Sequence, residues 1–177
     1  VPTTCAQQGK SCGNIPDGCN GSLWCGDCTG GDVCGTGTTA NQCVGVEGTW
    51  KAVSGDCNGS PILSDPSVTS TWSIGPNVVK ISYFDSNCTA NDLGSFTRTA
   101  TAFTGTLDYR SCAPEGCFLG TPDAGEGVCQ SAPYNPVFKL GGTYVLLTWQ
   151  SLQLKYPGGP GTGCPSGTTQ TALFQRQ

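Results

Sequence analysis

Residues 17–28, DGCNGSLWCGDC, crowd three cysteines, three glycines and one tryptophan into twelve positions. A segment with so few apolar side chains cannot bury enough area to offset its chain entropy, so a module of about forty residues needs covalent crosslinks. Asn20-Gly21 is a strong signal for a tight turn. The stretch therefore predicts a short hairpin that is held at both ends by disulfide bonds.

The other cysteines fit the same interpretation. Seven of the thirteen lie within the first 43 residues, and six are spread over the rest of the chain. The candidate disulfide cysteines are Cys5, Cys12, Cys19, Cys25, Cys28, Cys34, Cys43, Cys57, Cys88, Cys112, Cys117, Cys129 and Cys164. This density is typical of secreted chains that mature in an oxidising compartment. The spacing leaves the connectivity open, since six cysteines alone allow 15 pairings.

The odd number of cysteines means that one thiol has no partner within the chain. Its partner either precedes Val1, since a chain without Met is expected to be processed, or belongs to another molecule. The surplus falls in the first module if the six cysteines from Cys57 to Cys164 pair among themselves. Zinc is the competing interpretation, but the chain has one C-x-x-C, Cys25–Cys28, and no histidine.

Composition excludes several classes of function. Charged residues make up 11% of the chain and the eight basic residues are scattered, whereas nucleic-acid binding needs clustered Lys and Arg. No apolar run approaches the ~18 residues of a membrane-spanning helix. Without histidine there is no nucleophile–histidine pair. A carboxylate pair for glycoside hydrolysis stays conceivable from Asp56, Asp85, Asp108 or Glu115, but twelve acids scattered on turns are more often ordinary exposed side chains. We expect no enzyme activity and no cofactor.

Two modules follow from the pattern along the chain. Residues 1–45 predict a disulfide-rich, knottin-like module, because they have explicit turns and almost no apolar periodicity. Residues 46–177 are rich in Thr and alternate apolar with polar residues, which predicts an all-β domain. The predicted strands are Gly48–Gly55, Val68–Ile74, Val78–Phe84, Ser95–Tyr109, Val137–Leu140, Thr143–Leu154 and Thr168–Gln175. Seven or eight short antiparallel strands indicate a β-barrel or a β-sandwich.

Alternation within these strands predicts which side chains fill the core. The predicted inward series are Val79, Ile81 and Tyr83; Phe103, Leu107 and Tyr109; and Val145, Leu147 and Trp149, with Trp50 beside them. Gly105 and the change of phase at Leu152 and Leu154 each predict a bulge or a crossing. Segment 110–136 is rich in Pro and Gly and carries three cysteines, which predicts a long loop tethered by disulfides.

Each module resembles a known family. The sequences TTCAQQGKSCG, residues 3–13, and IPDGCNGSLWCGDC, residues 15–28, resemble the small Cys-rich repeats of secreted myxobacterial-type proteins. That resemblance implies an extracellular, non-catalytic module. The sequences VEGTWK, residues 46–51, and TALFQR, residues 171–176, resemble the first and last strands of bacterial lipocalin-like (calycin) domains. This second resemblance implies a barrel in which Trp50 packs over the base, Arg176 covers it, and a small apolar ligand binds inside.

A few side chains are candidates for binding or modification. Trp24 either covers a disulfide or offers a ring for stacking against a sugar or a partner. Trp72 and the Tyr134 and Tyr156 side chains, expected to be exposed, are further candidates for sugar stacking. Three N-x-S/T sequences begin at Asn20, Asn58 and Asn87 and would accept glycans in a eukaryotic secretory host.

Low charge, many crosslinks and missing catalytic groups favour a secreted, non-enzymatic protein at the cell surface. The expected role is structural, as a filament or matrix subunit or in adhesion, with copies of itself or extracellular polysaccharide as partners. The alternatives are a lipocalin-like carrier of a small apolar ligand and a carbohydrate-binding module. A barrel filled by its own side chains would have no room for a ligand. The packing of the interior therefore separates the structural role from the lipocalin-like carrier.

Overall fold

The computed structural model describes residues 3–62, 68–85, 87–119, 128–159 and 164–177. Within these ranges the chain is all-β, as predicted, and one short 3-10 turn spans Gly37–Thr39. The strands are β1 Asn14–Pro16, β2 Ser22–Trp24, β3 Val33–Cys34, β4 Cys43–Val44, β5 Gly48–Cys57, β6 Ser60–Pro61, β7 Val68–Ile74, β8 Val78–Asp85, β9 Cys88–Arg98, β10 Ala102–Ala113, β11 Ala132–Thr148, β12 Ser151–Gly159 and β13 Cys164–Arg176.

The N-terminal module consists of two very small sheets, β1–β2 and β3–β4. Its buried apolar side chains are Cys12 and Ile15, so there is little core beyond sulfur. Three disulfides crosslink it: Cys5–Cys25, Cys12–Cys34 and Cys28–Cys43. The β1–β2 hairpin is the one predicted from residues 17–28, and Asn20 takes the left-handed φ of 67° that its turn requires.

The second domain is a closed barrel of eight antiparallel strands rather than a sandwich. Strands β5 and β7 to β13 follow each other as a meander, and β13 pairs with β5 to close the sheet. The short β6 adds to one end of β5. Two predicted strands, 95–109 and 143–154, are each two strands, since hairpin turns at 99–101 and 149–150 divide them.

The barrel interior is packed with large side chains. The buried core residues are Val46, Trp50, Trp72, Ile74, Val79, Ile81, Phe96, Phe103, Leu107, Tyr144, Leu146, Leu152, Leu154, Ala172 and Phe174. The prediction that Val145 and Leu147 point inward is wrong, since their side chains are 52% and 51% exposed. All four residues from Tyr144 to Leu147 are apolar, so alternation does not show which two point inward. Leu146 pairs with the buried Leu152, and this places Leu146 and Tyr144 inside the barrel.

A bulge in β10 corrects two further expectations. The register shifts between Leu107 and Tyr109, so Tyr109 points outward and is 41% exposed. Gly105, the predicted bulge, keeps regular pairing with both neighbouring strands. A Cβ at Gly105 would lie 2.2 Å from the carbonyl oxygen of Ser95, so a close approach of two backbones explains this glycine.

Both ends of the barrel carry a covering segment. We call the end where β5 begins the base, and there Val33 of the N-terminal module packs against the barrel core. At the opposite end, the top, Cys88–Cys117 and Cys112–Cys129 fasten the segment that follows β10. Leu119 of that segment is buried beside these disulfides. The predicted tethering of segment 110–136 is confirmed for its described residues, while 120–127 lie outside them.

Candidate functional site

Arg98, at the end of β9, joins the N-terminal module to the barrel. Its guanidinium lies 3.2 Å from a carboxylate oxygen of Asp32 and 3.0 Å from one of Glu47. It also donates hydrogen bonds to the Gly30 carbonyl at 3.0 Å and to the Tyr144 hydroxyl at 3.1 Å. Burial works against the charge, but hydrogen bonds to Tyr144 and Glu47 raise the pKa of Arg98 above its ordinary value. The base is thus closed by a charge-assisted contact.

Two further contacts seat the module on the base. The Trp149 indole donates a hydrogen bond to the Thr36 hydroxyl at 2.5 Å. Gly31 faces the backbone of the β9–β10 turn, where a Cβ would lie 2.1 Å from the Ala100 carbonyl oxygen. Any other residue at Gly31 would therefore push the module away from the barrel.

Trp50 and Arg176 occupy the positions that the lipocalin-like resemblance implies. The guanidinium of Arg176 lies 4.3 Å from the centroid of the Trp50 ring, and the ring is fully buried. Arg176 also donates to the carbonyls of Gly45, Glu47 and Trp149. Burial lowers the pKa of Arg176. With its donors used in this way, Arg176 ties the last strand to the linker between the modules.

The upper half of the barrel holds a polar cluster that the sequence analysis missed. Asp92 is 1% exposed and receives two hydrogen bonds from Arg110, at 2.7 and 2.9 Å. The Arg110 guanidinium lies 5.6 Å from the centroid of the Tyr134 ring. The β10 bulge that turns Tyr109 outward brings Arg110 inward, opposite Asp92. The predicted strand began at Ser95 and so left out the first part of β9. A prediction of the whole of β9 would have placed Asp92 on the same inward face as Phe96.

Two tyrosines, Tyr83 and Tyr134, lie near this ion pair, and Tyr156 lies near Tyr83. Burial, and then the nearby Asp92, raise the pKa of Tyr83 and the pKa of Tyr134. Burial raises the pKa of Tyr156 to about 12. These phenols therefore stay protonated at neutral pH, and an arginine saturated by a carboxylate is no acid or base. The cluster has no feature of a general acid–base site.

Gln170 is the one side chain of the upper interior with an unmet hydrogen bond among the described residues. It pairs with Tyr156 across the sheet and is 8% exposed. Its Oε1 atom has no hydrogen-bond donor. A buried acceptor of this kind is costly unless a small donor such as water meets it.

The structure separates the predicted binding aromatics. Trp24 lies on the module surface and is 56% exposed. Trp72 is 6% exposed and packs edge-on against Phe103 and Phe174, so it offers no ring to an external sugar. The expectation that Tyr134 and Tyr156 are exposed is wrong, because both pack against the barrel core.

The three N-x-S/T asparagines are exposed at turns. Asn20 lies at the tip of the β1–β2 hairpin and Asn87 in the turn between β8 and β9. Asn58 uses its side-chain oxygen to accept a hydrogen bond from the backbone of Thr169 at 2.9 Å. Glycosylation of these residues stays a prediction.

Twelve of the thirteen cysteines are disulfide-bonded. The barrel contains Cys57–Cys164, Cys88–Cys117 and Cys112–Cys129, so its six cysteines pair internally. The unpaired residue is Cys19, which is exposed at the hairpin tip. Within residues 17–28, Cys25 and Cys28 are crosslinked and the disulfide expected at Cys19 is wrong. The end of the hairpin where β1 begins is crosslinked instead through Cys12–Cys34.

Two sulfur groups have the spacing of metal ligands. They are Cys12, Cys28 and Cys43, and Cys88, Cys117 and Cys129. Every member belongs to a disulfide, and a metal ligand must be a thiolate. The oxidised chain does not offer these sulfurs as zinc ligands.

Two concave spaces lie on the outside of the barrel. One, of about 330 Å³, is lined by Gly48, Thr49, Ser73, Ile74, Gly75, Val78 and Lys80. The other, of about 300 Å³, is lined by Thr148, Gln150, Ser151, Gln175 and Arg176. Both are shallow surface grooves, and neither enters the packed interior.

The fold and its crosslinks define a disulfide-reinforced, closed eight-stranded β-barrel with a Cys-rich module over its base. No helix among the described residues has the length and apolarity needed to cross a membrane. No protein-family model and no curated protein sequence matches the chain.

Proposed function

We propose that this chain is a secreted, non-enzymatic structural protein that assembles with copies of itself outside the cell. The observation that carries the proposal is Cys19, the exposed and unpaired thiol in a chain whose twelve other cysteines are crosslinked. A thiol in an oxidising compartment forms a disulfide with whatever partner reaches it. Cys19 would bond to the same residue of a second copy, and the two electrons and two protons that the thiols lose would pass to an oxidised dithiol of that compartment by thiol–disulfide exchange.

The position of Cys19 supports a connecting role. Asp17 accepts hydrogen bonds from the backbone N–H groups of Cys19 and Gly21, at 2.7 and 2.9 Å. The hairpin tip is thereby held in one conformation, with the thiol exposed. A preorganised tip loses little conformational entropy when two copies join.

The packed interior supports a structural role over a carrier role. Trp50, Phe103 and Phe174 fill the lower half of the barrel and are each at most 2% exposed. Small-molecule sites are clefts or cavities of about 300–1,000 Å³ that bury most of the ligand. The six disulfides and the two covering segments favour mechanical stability instead.

Electrophoresis without reductant tests the proposal. We expect a covalent dimer band that disappears on reduction, disappears in Cys19→Ser, and persists in the neighbouring control Ser22→Ala. Light scattering should give at least twice the monomer mass for the unreduced chain. A clean monomer with one titratable thiol at high concentration would contradict the covalent assembly.

The alternative is a lipocalin-like binding protein. Gln170 favours it, because its buried Oε1 atom has no donor and points to a small hydrogen-bonding occupant of the upper barrel. Native mass spectrometry of the unreduced chain tests this alternative. A retained small molecule that is lost in Gln170→Leu would support it, and a mass equal to the polypeptide alone would count against it.

A further inference from the structure

An exposed wall with a mixed apolar and cationic character covers one side of the barrel. We define the β8–β11 wall by Lys80, Leu93, Tyr109, Pro133 and Lys139. Strand pairing places Lys80 beside Leu93, Leu93 beside Tyr109, and Tyr109 beside Pro133, in one continuous row. Leu93 and Tyr109 are 37% and 41% exposed. The wall is thus an apolar row with a lysine at one end and a second lysine on the same strand as Pro133, and the exposed Asp108 beside Tyr109 is an acid that adjoins it.

The lysines of the wall are two of the four exposed lysines that the barrel leaves outside the ion pairs of its described residues. Its three arginines are engaged: Arg98 and Arg110 in ion pairs, and Arg176 by backbone carbonyls. Lys80 and Lys139 are exposed, and none of the ion pairs found among the described residues includes them. A second pair of exposed lysines, Lys51 and Lys155, lies on β5 and β12.

The N-terminal module has the opposite charge. It contains one lysine and three aspartates, and its lysine, Lys10, donates to the Ala40 carbonyl. Asp32 is engaged by Arg98. Asp17 and Asp27 remain, on either side of the exposed Trp24 in sequence. Backbone hydrogen bonds from Cys19 and Gly21 lower the pKa of Asp17, so it stays ionised. The hairpin therefore offers an exposed aromatic ring, and the exposed carboxylate of Asp27 follows it three residues later.

We propose that the β8–β11 wall is a docking site for the β1–β2 hairpin of a second copy of this chain. Trp24 would pack on Leu93 and Tyr109, while Asp27 would pair with Lys80 or Lys139. Complementary charge selects this occupant, because a neutral polysaccharide would leave the carboxylates and lysines without use. The inference rests on the proposed self-assembly and supplies its non-covalent contact.

The two surfaces lie on different modules, and this determines the geometry of assembly. A contact between unlike surfaces is heterologous, so two joined copies together keep one free hairpin and one free wall. Such a contact extends into an open filament or closes into a ring, whereas Cys19–Cys19 bonding is symmetric and ends at two copies. The two contacts together would crosslink filaments.

Sedimentation velocity over a concentration series tests the docking site in the Cys19→Ser chain, which removes the covalent link. We expect Lys80→Glu with Lys139→Glu to weaken association about tenfold or more. The matched control, Lys51→Glu with Lys155→Glu, makes the same charge change elsewhere and should leave association unchanged. Adding Asp27→Lys to the wall variant should restore part of the lost association.

The outcomes separate this inference from the proposed function. If association survives the wall variant, or falls equally in the control, the docking site is wrong while self-assembly stands. If the Cys19→Ser chain is monomeric throughout and the unreduced wild type is also monomeric, the proposed function is wrong. If the wall instead binds an insoluble polysaccharide in pull-down and Tyr109→Ala abolishes that binding, the occupant is wrong.

Discussion

The two modules reach stability by different means. Strands in the N-terminal module are two or three residues long, and its disulfides close loops with sequence separations of 15, 20 and 22 residues. The barrel has strands of up to 17 residues and a core with six buried aromatic side chains, and its disulfides are concentrated at its top. Sulfur replaces apolar burial where the chain is too short to provide it. Removal of one disulfide is therefore expected to destabilise the N-terminal module more than the barrel.

Removing one disulfide from each module tests this comparison and has the largest expected effect. A crosslink over 15–22 residues contributes roughly 3 kcal/mol, which exceeds what the few buried side chains of the module can replace. We expect Cys12→Ser with Cys34→Ser to unfold the module, with rapid amide exchange over residues 3–44 measured by mass spectrometry. Cys57→Ser with Cys164→Ser should lower the melting temperature yet leave the barrel amides protected. If each variant kept the amides of its altered module equally protected from exchange, the two modules would not differ in their dependence on disulfides.

The buried ion pair gives the next largest effect, and it is confined to the barrel. Arg110→Met leaves Asp92 buried without its partner, at a cost of about 3–5 kcal/mol. Asp92→Asn combined with Arg110→Met should recover most of that loss, because no charge stays buried. Urea unfolding of the single and double variants measures both values. If the double variant is no more stable than Arg110→Met, the ion pair stabilises the barrel by more than the mutual compensation of its two buried charges.

Alkaline pH should weaken the barrel more than the module. The pKa of Tyr156 rises from 10.0 to about 12 on folding, so the unfolded chain loses its proton first. The stability from this group is complete below pH 10 and is lost as the pH rises towards 12, with a limit of about 2–3 kcal/mol. Tyr156→Phe should lose less of its free energy of unfolding between about pH 9 and 11. An unchanged pH dependence in that variant would assign the loss to other groups.

The contact between the modules gives the smallest effect. The Arg98 side chain is 22% exposed, so solvent screens its ion pairs with Asp32 and Glu47. We expect Arg98→Ala to cost about 1 kcal/mol and to speed amide exchange at residues 29–33, with Lys51→Ala as the neutral control. No change in exchange at those residues would mean that Val33 and Trp149 hold the module without the arginine.

Local patterns in the sequence predicted the all-β class, the N-terminal disulfides and the number of barrel strands, while long-range pairing determined the rest. Cysteine spacing predicted the disulfide-crosslinked N-terminal region. The alternation of apolar and polar residues correctly placed Val79 and Ile81 in the barrel core. It failed at Val145 because that run is apolar on both faces, and at Tyr109 because a bulge leaves no local signal. Asp92 and Arg110 meet across two strands, so neither residue reveals the pair by itself. Of the candidate binding aromatics, Trp24 is exposed and Trp72 is buried. The buried cluster of Asp92 and Arg110 was not foreseen.

Disulfide mapping by mass spectrometry of the unreduced, alkylated chain tests the central claim most directly. The account predicts six intrachain bridges, Cys5–Cys25, Cys12–Cys34, Cys28–Cys43, Cys57–Cys164, Cys88–Cys117 and Cys112–Cys129, together with a Cys19–Cys19 peptide joining two copies. Cys19 bridged to another cysteine of its own chain, or alkylated in full at high protein concentration, would contradict it.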